Sequence, residues 1–283
     1  MSLSKPIFVI GLGRSGSSIF HKMFATHPEV AWLSAICDRY PDQPHLNRFV
    51  LNGIEIPLLG NYIKRKYGPE ECYNFWEHNC RGFRTPCRDL VAEDLMEKSR
   101  IQITSSLSKI ITNKRQRLML KITGWPRLGY LKAIFDDAVF IHVKRDSMAV
   151  ANSFLDVPWW WGWRGPSNWR WGELPEKYDE LWKKYDRSYV ALAGIACLIF
   201  QDAMDAAKQN NLKNIVEIEY ETLCEKPIEI FKDVLKFCDL KWSREFQDNL
   251  KSFNLRNSNY KWRENLTVKQ QKILEEVLSS SKL

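Results

Sequence analysis

Two hydrophobic periods alternate along this chain, and each change of period marks a new element. The apolar run Ile7–Ile10 predicts a strand that ends in a glycine-rich turn. Ile19–Thr26 follows as a helix, with Phe20, Met23 and Phe24 on one face. His27-Pro28 closes it, because a residue before proline is pushed out of the α region. Val30–Leu33 predicts a second, short strand. Residues 38–95 keep no period; Pro, Gly and Asn are scattered among aromatics, as in helices and loops that cap a sheet edge. The pattern returns with a helix at Ile101–Ile111, a strand at Leu118–Ile122, a helix at Leu128–Phe135 and a strand at Ala138–Val143. Ser147–Phe154 reads as a helix, residues 156–176 as a Pro/Gly/Trp loop, Tyr185–Asn210 as a long helix and Ile215–Tyr220 as a strand. Pro227–Cys238 and Val268–Leu278 are helical. Strands alternating with helices imply a mainly parallel central sheet flanked by helices on both faces, an α/β architecture. No linker interrupts the pattern, so residues 1–283 are expected to form one domain.

Composition narrows the classes. Apolar residues at 45% and charged residues at 27% exclude intrinsic disorder. A net charge of +8 suggests an anionic partner. The longest apolar stretch, Ser188–Phe200, is too short to span a bilayer and reads as a buried helix. The N-terminus lacks the basic region and cleavage site of a signal peptide. Seven cysteines without a CxxC pair show no zinc spacing, and a reducing, cytoplasmic setting is the simplest reading.

The first turn reads Gly11-Leu12-Gly13-Arg14-Ser15-Gly16-Ser17-Ser18. A strand that runs through glycines into a helix start offers open N–H groups and partial positive charge to an anion. Arg14 adds a charged fork of donors, and Ser15, Ser17 and Ser18 add hydroxyls. The spacing matches the dinucleotide fingerprint, but no acid ends the second strand. It also approaches a phosphate-binding loop of the Walker type, but serine stands at position 17 where that loop needs lysine. A second cationic element, Val143-Lys144-Arg145-Asp146-Ser147, joins a strand to a helix that carries Ser153 two turns later.

Together the two elements resemble the sulfotransferase superfamily, which uses 3′-phosphoadenosine-5′-phosphosulfate (PAPS). Tyr220-Glu221-Thr222-Leu223 and Lys261-Trp262-Arg263 resemble two further segments of that family, in the same order. The resemblance implies a P-loop-like three-layer fold, PAPS as sulfuryl donor, PAP as product and no metal. It implies that Arg14, Ser15, Gly16, Ser17 and Ser18 cradle the 5′-phosphosulfate and that Arg145 and Ser153 hold the 3′-phosphate. Tyr220, Arg256 and Lys261 complete the donor-binding set. The acceptor implied is a small molecule or glycan, with no nucleic-acid partner. A nucleotide kinase and a nucleotide-binding protein without turnover are the alternatives.

The acceptor's proton needs a base, and the chain departs from the family there. One branch places histidine where Thr123 stands; others place glutamate where Ser34 or Ala35 stands. Asp38 is the expected substitute, with Asp42 and His45 behind it, and Arg14 is expected to act in catalysis as well as binding. His142, inside an apolar strand, reads as a satisfied core histidine. Six of the twelve tryptophans fall between Trp159 and Trp171, among three prolines and three glycines of residues 156–175. That loop reads either as a packed satellite cluster or as a wall that stacks on the acceptor.

Overall fold

The computed structural model describes residues 3–85, 87–209 and 214–280. Five strands, β1 (Ile7–Gly11), β2 (Val30–Ala31), β3 (Arg117–Thr123), β4 (Val139–Lys144) and β5 (Ile215–Glu219), form one sheet in the order β2-β3-β1-β4-β5. Every pairing is parallel. Helices therefore cross over both faces, which is why β1 is buried along its whole length and reads as an unbroken apolar run. The strand order reverses about β1. In such sheets ligands bind outside the carboxyl ends of the strands at the reversal. Register places Gly11 beside Thr123 at that edge.

Helix α1 (Ser17–Phe24) follows β1. Between β2 and β3 lie α2 (Ala35–Arg39), α3 (Leu46–Gly53), α4 (Leu59–Lys66), α5 (Tyr73–Asn79) and α6 (Glu97–Ser108). α7 (Leu128–Ile134) precedes β4, and α8 (Ser147–Leu155) follows it. α9 (Glu176–Lys184) and α10 (Tyr189–Gln209) lead to β5. After it come α11 (Tyr220–Glu225), α12 (Pro227–Phe237), α13 (Arg244–Lys251), α14 (Lys261–Asn265) and α15 (Val268–Ser279). Phe20 stacks on Phe231 of α12 at 4.9 Å between ring centroids, and Phe24 meets the same ring edge-on, so α1 is pinned to the core.

The structure differs from the sequence pattern at several boundaries. α10 begins at Tyr189 rather than Tyr185, because Asp186 and Arg187 adopt left-handed φ values of 52° and 53°. Arg187 N–H donates to the Trp182 carbonyl and closes α9 instead. The expected last residue of this helix, Asn210, lies outside the described residues. β2 is only two residues long, because Asn47 takes up the chain after it: its side chain accepts from Ser34 N–H and donates to the Trp32 carbonyl. Tyr220 opens α11 rather than ending β5. By length and composition α10 could cross a membrane, but Val190–Phe200 is buried among α8, α9 and α15 as a core helix. His142 is buried as a core residue, with Nδ1 3.1 Å from Glu217 Oε1. Burial holds its pKa below the ordinary histidine value despite that carboxylate.

Candidate active site

The loop between β1 and α1 is built around two left-handed residues. Ser15 N–H turns back to the Leu12 carbonyl at 3.1 Å, Arg14 has φ 71° and Gly16 has φ 92°. A non-glycine residue in that region is uncommon and accumulates at ligand sites. At Gly16 a side chain is excluded twice: by φ and by the Tyr220 ring, with which a Cβ would collide. No side chain caps α1, so the N–H groups of its first turn remain open at the positive end of the helix dipole. The Ser15 hydroxyl is buried and has no partner among the described residues. A buried orphan hydroxyl beside open N–H groups fits a phosphate or sulfate group.

Arg145, at the end of β4, ties this loop to two other segments. Its Nη1 donates to the Arg14 carbonyl at 3.0 Å, Nε to Asn259 Oδ1 at 2.9 Å and Nη2 to Ser258 Oγ at 3.3 Å. The guanidinium lies 4.8 Å over the Tyr220 ring. On the other side, Arg14 Nε donates to Ser153 Oγ at 2.8 Å. Arg145 and Ser153 thus meet the two ends of one residue of the loop. Asp146 caps α8 by accepting from Ala149 N–H at 2.8 Å, which aims the start of that helix at the same edge.

Arg14, Ser15, Gly16, Ser17, Ser18, Arg145, Ser153 and Tyr220 are therefore gathered at one end of the sheet. Arg256 joins through its carbonyl, which accepts from the Tyr220 hydroxyl at 3.0 Å, while its side chain is exposed. Lys261 opens α14 with an exposed side chain. Ser258 and Asn259 were not foreseen; the polar run Asn257-Ser258-Asn259, lying between Arg256 and Lys261, was the available signal. Among the described residues no group of three or more His, Cys, Asp or Glu side chains is placed to hold a metal.

A second cluster lies on the β3 side. Lys121 donates from Nζ to Ser18 Oγ at 2.6 Å and sits 2.6 Å from Glu71 Oε1. Thr123 Oγ1 donates to Glu71 Oε2 at 2.7 Å, and the Tyr73 hydroxyl donates to the Thr123 carbonyl. Burial lifts the Tyr73 hydroxyl to about 12. His21 on α1 is buried, its Nε2 without a partner among the described residues. Burial first, and then the Lys121 charge, holds its pKa well below the ordinary value. Asp38 is engaged at the start of α5, where its two oxygens accept from Asn74 N–H at 2.8 Å and Asn74 Nδ2 at 2.9 Å. Ser34 is buried with its hydroxyl on Asn47 at 2.6 Å, and Ala35 opens α2. Glu71 falls in the stretch without period, and no local pattern singles it out.

The tryptophan loop divides in two. Trp160, Trp169 and Trp171 are buried, with Trp160 stacked on Phe154 and Trp171 against Trp125. Trp161 and Trp163 stay 50% and 58% exposed, on a short 3-10 turn at Trp161–Arg164 that the loop's composition had not suggested. Trp159 reaches the anion loop: a Cβ on Gly13 would lie 3.3 Å from its ring.

The fold has known counterparts. Over its whole length the fold is similar to a sulfotransferase of Mycobacterium avium, with 16% identity and a TM-score of 0.59 over 99% of this chain and 77% of that one. A sulfotransferase of Mycobacterium tuberculosis matches at 15% identity and a TM-score of 0.58 over the same shares. The sulfotransferase domain of the Synechococcus olefin synthase matches at 15% identity and a TM-score of 0.52, covering 100% of this chain and 96% of that one. At such identities these likenesses speak for the fold alone. No curated protein matches the sequence. The Sulfotransferase family, however, matches residues 6–244, from the start of β1 into α13, and the span takes in the anion loop, Arg145, Ser153 and Tyr220: the chain belongs to the sulfotransferase family.

Proposed function

We propose that this protein transfers a sulfuryl group from PAPS to the hydroxyl of a carbohydrate, glycolipid or small metabolite, releasing PAP, and that it does so as a single cytoplasmic domain. The observation that carries the reading is the meeting of Arg145 and Ser153 on Arg14, beside an uncapped helix start and the buried Ser15 hydroxyl. These are two adjoining anion sites, and a nucleotide with phosphates on both its 3′ and 5′ oxygens needs two.

In this reading the N–H groups of the loop, with Ser15, Ser17 and Ser18, hold the 5′-phosphosulfate. Arg145 and Ser153 hold the 3′-phosphate. Tyr220, Arg256 and Lys261 border the nucleoside. Bound PAPS supplies an activated sulfuryl group. Arg14, within the loop, and Lys121, bonded to Ser18, are suited to steady the charge that grows on the leaving phosphate oxygen.

Ligand-induced stabilisation tests the assignment. PAP at a hundredfold excess over its Kd should add about 2.7 kcal/mol of stability. ATP, which has no 3′-phosphate to offer Arg145, should add much less at the same concentration. Equal shifts in melting temperature with PAP and ATP would reject the two-site reading. PAP binding without transfer to any acceptor would leave a nucleotide sensor.

A further inference from the structure

We propose that Glu71 is the general base that takes the acceptor's proton; the proposal rests on the sulfotransferase reading above. The two positions at which a base was expected, Ser34/Ala35 and Thr123, carry no group able to serve. The structure brings both to one carboxylate. Pro69 pairs antiparallel with Ser34, and Glu70 N–H donates to the Leu33 carbonyl at 2.8 Å, so the segment that carries Glu71 runs along the expected glutamate position. From the opposite side, Thr123 Oγ1 holds Glu71 Oε2 at 2.7 Å. The acid missing from both places in the sequence is supplied by a third segment that lies between them.

Its surroundings suit the task. Lys121 bridges Glu71 Oε1 and Ser18 Oγ, each at 2.6 Å, so one ammonium separates the carboxylate from the anion loop. Lys121 is 7% exposed and Glu71 23%, so the cation is enclosed while the carboxylate still faces an approach from solvent. A carboxylate has about four acceptor positions; Lys121 and Thr123 use two, and an acceptor hydroxyl can occupy another. The other titratable groups of the cluster are Tyr73 on α5, whose proton sits on the Thr123 carbonyl, and His21 on α1, buried behind Lys121. Asp38, by comparison, is engaged with the start of α5 and contacts neither Lys121 nor Ser18 among the bonds of the described residues.

In the step assigned to it, Glu71 accepts the hydroxyl proton as the acceptor oxygen bonds to sulfur. The bond from sulfur to the 5′-phosphate oxygen breaks, and its electron pair stays on that phosphate, on the Lys121 and Ser18 side. The products are the sulfated acceptor and PAP, and Glu71 returns its proton to water.

The test uses Glu71→Gln and Glu71→Asp with PAPS and a series of phenols of graded acidity, followed by PAP release, with PAP binding measured by calorimetry and folding by thermal melting. Glu71→Gln should bind PAP within about threefold of the wild type. Its kcat on weakly acidic phenols should fall about 10²–10⁴-fold. That loss should shrink for nitrophenols already ionised at neutral pH, and the acidic limb of the pH–rate profile should vanish. Glu71→Asp should recover part of the rate. If Glu71 only positions Lys121, PAP affinity falls, or the loss is equal for every phenol and the acidic limb persists; either result overturns the proposal. So does an acidic limb that disappears in Asp38→Asn and survives in Glu71→Gln. A wild type that does not bind PAP rejects the sulfotransferase reading, and the base with it. A wild type that binds PAP but sulfates no phenol or alcohol leaves Glu71 no proton to take and overturns the base alone.

Discussion

Arg145 is held in place by contacts within the chain. One guanidinium is held by the Arg14 carbonyl, Asn259 and Ser258 and rests on Tyr220, so four residues from three segments fix its orientation. Fixing a long side chain in advance lowers the entropy cost of binding. It also separates Arg145 from a merely basic surface residue, such as Lys144, which is paired with Glu217 and Glu219 along the sheet edge. Arg145→Ala should weaken PAP binding at least tenfold, for a loss of about 1.5–3 kcal/mol, because a charge-assisted contact to phosphate disappears. Arg145→Lys should recover little of this, since an ammonium cannot reproduce a fork held at three points. Ser153→Ala removes a single neutral hydroxyl and should cost less. Calorimetric titration with PAP decides the matter, and an unchanged affinity in Arg145→Ala rejects the 3′-phosphate assignment.

At the scale of elements, what could be read depended on how each segment is buried. β1 and β4 announce themselves because helices cover both faces of a parallel sheet, leaving few polar positions along either. α1, α8 and α12 were legible from one apolar face or a capping acid. The stretch from residue 38 to 95 was not, because helices α2 to α5 span only five to eight residues, too few turns for a period to emerge. The candidate site divides the same way. The anion loop and Arg145 lie next to legible strands and carry their chemistry in consecutive residues. Glu71 reaches the site through a pairing of Pro69 with Ser34, a relation between distant residues that no local pattern encodes. The tryptophan loop could be read only as two alternatives, and the packed one holds for Trp160, Trp169 and Trp171. Trp160 is packed on Phe154, and its truncation to alanine should cost about 3–5 kcal/mol as a buried aromatic. Trp163→Ala removes a side chain mostly in water and should stay within about 0.5 kcal/mol of the parent. Urea unfolding of the two variants separates them, and equal losses would mean that the loop packs as one unit.

Across the whole molecule, three histidines are enclosed on different elements: His21 on α1, His27 at the turn into β2 and His142 within β4. Burial is the leading cause at all three, and it holds each folded pKa below the ordinary value. In the unfolded chain they titrate near about 6.5. Between the depressed folded values and about 6.5 the unfolded state therefore binds more protons, and stability falls as pH drops through that range. Above about 6.5 both states are neutral at these positions and the contribution is complete. Glu217 works in the same direction at lower pH. Hydrogen bonding to His142 and Lys208 holds its pKa below the ordinary carboxylate value, so its contribution is lost only as pH falls past about 4.5 towards the depressed folded value. In the interval from about 6.5 to 4.5 the histidines lead, and Asp89, whose carboxyl burial holds above its ordinary pKa, opposes them. The urea midpoint should be lower at pH 5.5 than at pH 7.5, and unfolding at pH 5.5 should take up protons, measurable by calorimetry in buffers of different ionisation enthalpy. A midpoint that holds or rises on acidification, or unfolding without proton uptake, would show that these imidazoles do not stay neutral inside the fold.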